Sequence, residues 1–184
     1  MYAKIERAAF PLVGATFLLV VIGAIGVATG WPWLVPSLGA AALVQTMTPD
    51  QESAKPWSVV FGQLAGLAGG YAGVYAVGAE AVPEFGSGHP LVWIRIAAVA
   101  IAVAITVLLM FLGSGKNPAG GATTLLIALG TEPASWRGAV IMVVGILLVS
   151  VLGEAIRFTI LRMRSEGAKP PRLQAQDKHT ESMP

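Results

Sequence analysis

Residues 114–124 read SGKNPAGGATT, and within that stretch stand a cation, a carboxamide, two adjacent glycines and two hydroxyls. Lys116 supplies a full positive charge. Asn117 is suited to capping a helix, and Pro118 has the fixed backbone angle that opens one. Gly120 and Gly121 allow a ligand close to the main chain, and Thr123 and Thr124 add hydroxyl donors. The chemistry such a set serves is anion binding. The first four N–H groups of a helix have no partner inside it, and the macrodipole leaves about half a positive charge at that end.

A second stretch repeats the arrangement. Sliding VPSLGAAALVQTMT (35–48) by 82 positions brings Pro36 onto Pro118, Gly39 onto Gly121, Ala40 onto Ala122 and Leu43 onto Leu125. Ser37 and Gly39 are therefore the first-half candidates for the same contacts. Gln45, Thr46 and Gln63 are the other polar groups embedded in apolar sequence. For any one of these residues, packing or a bond from threonine to its own backbone is the commoner role. The pair of segments together points to a binding site.

The elements that must position these residues are set by hydropathy. Hydrophobic residues make up 55% of the 184-residue chain and charged residues 12%. A soluble surface needs about 25% charged residues. Four apolar segments, Phe10–Gly30, Trp57–Ala79, Leu91–Gly113 and Trp136–Ile160, are long enough to cross a hydrocarbon layer about 30 Å thick. The segments Val35–Thr48 and Asn117–Gly130 are too short to cross comfortably and too apolar to be ordinary loops. The order is long–short–long, twice. Paired short segments interrupted by Gly and Pro are the sequence mark of a transporter site at the interface of two repeats.

The expectation is an all-α integral membrane protein spanning residues 1–162, with one three-helix repeat at about 10–79 and a second at about 91–160. Residues 163–184 form a polar tail expected to be disordered. Six crossings invert the second repeat relative to the first; four crossings with two re-entrant half-helices would leave them parallel. Lys55 and Lys116 in loops favour six. The basic flank Lys4/Arg7 and the basic tail place both termini in the cytoplasm of a cell (inner) membrane. Arg95 and Arg137 are expected to snorkel at helix ends, Glu154 and Arg157 to pair, and the five tryptophans to form interfacial belts. The first apolar run is read as a retained helix rather than a cleaved signal.

Several classes are disfavoured. The chain has no cysteine, and His89 and His179 are far apart, so no metal or other cofactor is expected. No nucleophile–base pair suggests an enzyme, and no basic–aromatic interleaving suggests nucleic acid. The glycines of Trp57–Ala79 suit close helix packing, within the chain or in a homo-oligomer. The expected partners are a small inorganic anion and the lipid bilayer. A channel for water or an uncharged solute, and a structural subunit without a pore, are the alternatives.

The run LGAAALVQTMTPDQESAKPWSVVFGQLAG (38–66), with KNPAGGATTLLIAL (116–129), resembles the HPP family of integral membrane proteins. The resemblance rests on Leu38-Gly39-Ala40, Thr48-Pro49, Ala54-Lys55-Pro56-Trp57 and Gln63. Asn117-Pro118-Ala119 stands where the family carries His-Pro-Pro, which removes a titratable group. The resemblance implies a transporter-like membrane protein with nitrite or another small anion as substrate, and a four-span description.

Overall fold

The computed structural model describes residues 2–31, 35–86 and 88–167. It contains six α-helices in the expected order: α1 (Tyr2–Thr29), α2 (Pro36–Met47), α3 (Pro56–Ala76), α4 (Trp93–Leu112), α5 (Pro118–Leu129) and α6 (Trp136–Gly167). Among the described residues, α1, α3, α4 and α6 are long and apolar enough to cross a membrane. The two short helices have 12 residues each and begin on the prolines related by the 82-residue shift. Helix α6 continues past Ile160 to Gly167, so the first residues of the expected tail are helical; residues 168–184 lie outside the described residues.

Contacts along the long helices fix the direction of each short one. On α6, the Arg137 guanidinium lies over the Trp31 ring, and Arg157 Nε donates to Pro49 O at 2.7 Å. Those arginines are twenty residues apart, about 30 Å of helix. Between Trp31 and Pro49 the chain therefore passes from one end of the bundle to the other, with α2 as the helical part of that passage. The same holds for α5. At its start Asn117 Nδ2 donates to Ser53 O, just before α3 begins; beyond its end, Tyr75 in the last turn of α3 donates to Ala134 O. The backbone traverses the bundle six times, and the second three-helix unit runs opposite to the first.

Packing follows the same repeat. Helix α4 packs on α3 as α1 packs on α6, α5 on α3 as α2 on α6, and α4 on α5 as α1 on α2; α2 meets α5 and α3 meets α6. Exchanging the first three helices for the last three leaves this set unchanged. Each bundle thus takes two helices from one repeat and one from the other: α1, α2 and α6 against α3, α4 and α5.

Helix α3 is the most enclosed of the four long helices, and its glycines explain why. A Cβ on Gly62 would lie 2.8 Å from Asn117 Cβ, and one on Gly66 2.8 Å from the Gly120 carbonyl carbon. With Gly70, which faces Ile127, these residues make a seam for α5. Gly69 and Gly73 face Thr106, Ala98 and Ala102 on α4 instead. Small residues four apart let backbones approach without side chains between them, and α3 carries two such seams. Both are used within the chain, so they are not free to join a second copy.

Cations hold the carbonyl ends of both short helices. Arg157 reaches Pro49 just beyond α2 and pairs with Glu154 at 2.8 Å, as expected. Arg95 departs from its expected outward path. It is buried, donating through Nη1 to Ala128 O at 3.2 Å and through Nη2 to Val82 O at 2.6 Å. The negative end of the α5 dipole and its unpaired carbonyls draw the guanidinium inward. Trp57, Trp93 and Trp136 are exposed at helix starts, while Trp33 lies outside the described residues.

Candidate functional site

The candidate polar residues separate into three places. The first is the start of α2. Val35, Ser37 and Leu38 are buried there, while Pro36 reaches the surface. Leu38 N and Gly39 N both bond back to Val35 O, and no side chain caps the helix. Pro36 has no N–H, so the first amide is that of Ser37, which has no acceptor within its own helix. The Ser37 hydroxyl is fully buried and lacks a hydrogen-bond partner among the described residues. A buried hydroxyl without a partner costs about 1–3 kcal/mol.

Gln63 ties that start to α5. Its Nε2 donates to Ser37 O at 3.0 Å, and its Oε1 accepts from the Thr123 hydroxyl. Ser37, Gln63 and Thr123, from three helices and both repeats, therefore form one connected polar cluster with no exposed surface. The start of α5 differs. Asn117 Oδ1 accepts from Ala119 N at 2.8 Å, and Gly120 N bonds to Asn117 O. The asparagine acts as the expected cap and keeps those two amides for itself. Gly120 is spent on the seam with Gly62 and Gly66.

The second place is a groove of about 310 Å³ between α4 and α5, lined by Lys116, Asn117, Gly121 and Thr124 together with Val103, Val107 and Met110. Thr106 of α4 also lines it and sits 2.8 Å from the Thr124 hydroxyl. Thr106 was missed as a candidate, although it is the one hydroxyl in the run WIRIAAVAIAVAITVLLMFL. The third place is the far end of α2. Gln45 Nε2 makes a long bond of 3.5 Å to Ser150 O, its Oε1 has no partner among the described residues, and Gly153 leaves it room. Thr46 bonds its own helix at Ala42 O. Gly39 faces α1, where a Cβ would meet only Leu19 at 3.8 Å.

No grouping of three or more metal-ligating side chains occurs among the described residues. The site chemistry is that of amides and hydroxyls. The pattern described as "HPP, transmembrane region" matches residues 2–166. The chain belongs to the HPP transmembrane family. No curated protein and no solved structure shows a match to it. This HPP protein is thus a membrane protein whose long apolar helices contact the lipid bilayer. In this chain Asn117 is the neutral cap of α5 and Pro118 its first residue.

Proposed function

We propose that this HPP protein is a transporter or permease for a small inorganic anion, nitrite being the leading case, and that the anion binds at the uncapped start of α2. The observation that carries this reading is Ser37: an amide without an intrahelical acceptor and a buried hydroxyl without a partner, both at the positive end of a helix dipole. Low dielectric around the cluster strengthens any interaction with a negative ligand. Gln63 and Thr123 hold the surrounding backbone and lend polarity without charge. No carboxylate stands in that cluster to repel an anion.

The paired bundles suit alternating access. Each bundle mixes the two repeats, and the cluster bridges them through Gln63, so rocking one bundle against the other would expose Ser37 to one side and then to the other. The end carrying Lys55, Lys116, Arg157, Arg162 and Arg164 faces the cytoplasm on the positive-inside rule, with both termini there, in a cell (inner) membrane. On this reading the protein moves a solute and transforms none. Purified protein in proteoliposomes should take up nitrite. Ser37→Ala should weaken apparent affinity by about 10- to 100-fold, as expected for a lost hydrogen bond to a charged ligand. Absence of uptake, or osmotic swelling without anion flux, would overturn the proposal.

A further inference from the structure

The groove between α4 and α5 is separate from the Ser37 cluster, and its chemistry is different. Its lining includes the apolar side chains of Val103, Val107 and Met110, the ring of Pro118, and Gly121. On the same helix as Val103 and Val107, Leu108, Phe111 and Leu112 are exposed, apolar surface suited to lipid. Lys116 stands at one end of the groove, on the side of the bundle where α3 begins, because Trp57 Nε1 donates to Gly113 O there. The Lys116 ammonium lies over the Phe111 ring, 4.8 Å from its centre. No carboxylate among the described residues pairs with it.

We infer that this groove binds an anionic phospholipid, with one acyl chain against Val103, Val107 and Gly121 and the phosphate at Lys116. The occupant must combine a negative charge at the interface with an apolar limb running inward from it, and that is the form of a phospholipid. A second copy of this chain fits less well. The described acidic side chains at the Lys116 end are already committed: Asp50 to Arg164, Glu52 to Lys55 and Glu154 to Arg157. The copy would bring apolar surface but no free carboxylate from these residues. The width of the groove depends on Gly121. A Cβ there would meet nothing within 4 Å, so side-chain atoms added at this position start in open space beside the groove.

The test is native mass spectrometry of the full chain, purified with equal amounts of phosphatidylglycerol and phosphatidylcholine of identical chains. The wild type should retain phosphatidylglycerol preferentially. Lys116→Gln, at an exposed position, should cut that preference roughly fivefold. Gly121→Leu should lower retention of both lipids. Short-chain phosphatidylglycerol and inorganic phosphate should fail to displace the bound lipid, which separates a lipid site from a site for free phosphate. Equal retention of the two lipids by the wild type, or unchanged retention by Gly121→Leu, would overturn the inference. So would a lipid-free dimer that Gly121→Leu dissociates, since that would assign the groove to a second copy.

Discussion

Two glycine-to-alanine substitutions on facing helices should have opposite consequences. In Gly66→Ala the new methyl would overlap the Gly120 carbonyl oxygen and lie 2.8 Å from its carbon and 3.1 Å from its Cα. Carbon atoms rest at about 3.5–4.0 Å, and every atom it meets belongs to the backbone, so no rotamer relieves the overlap. Helix α5 must withdraw by roughly an ångström. That withdrawal loosens the Thr124 bond to Gly66 O and the Gln63–Thr123 bond. Overpacking of this kind costs about 1–3 kcal/mol, which for a chain of this size lowers Tm by about 2–12 °C. In Gly121→Ala the methyl meets nothing, and alanine is the better helix former by about 1 kcal/mol, so Tm should hold or rise. Thermal unfolding in detergent, followed by helix signal, compares the two directly. Equal shifts, or a larger fall for Gly121→Ala, would refute the seam between α3 and α5.

Asn117→Ala removes both the cap on Ala119 N and the bond to Ser53 O. It should destabilise the protein by about 0.5–2 kcal/mol, whereas Asn117→Asp, which retains the acceptor, should recover the cap; denaturant titration in detergent would measure both. Burial holds the Glu132 carboxyl, in the loop after α5, above the usual carboxylate range. The folded state therefore keeps this proton to higher pH than the unfolded state does, and its contribution to stability falls as pH rises from the usual carboxylate value to the raised one. Glu132→Gln should flatten that decline, which a series of Tm values across the acidic range would record.

Much of the scaffold was legible in the residues. The long–short–long order and the 82-residue shift both survive in helices that open on Pro36 and Pro118, because proline marks a first turn locally. The two seams of α3 were not separable. Gly62, Gly66 and Gly70 lie four apart, and so do Gly69 and Gly73, but which neighbour each set meets depends on the tertiary arrangement. Arg95 was misread for a similar reason. An arginine in the first turn of an apolar helix ordinarily reaches outward, and only the fold brings the carbonyl end of α5 within its reach. The candidate residues were named from their types, but spacing alone could not divide them. Ser37 joins Thr123 across 86 positions only because Gln63 of a third helix spans the gap.

The proposed transport function requires a small anion to sit on the Ser37 amide and hydroxyl. Crystals of the protein soaked in bromide, a monovalent anion that anomalous diffraction locates, test it most directly. An anomalous peak should appear within hydrogen-bond distance of Ser37 and be lost in Ser37→Ala. A peak at Lys116 with none at the start of α2 would contradict it.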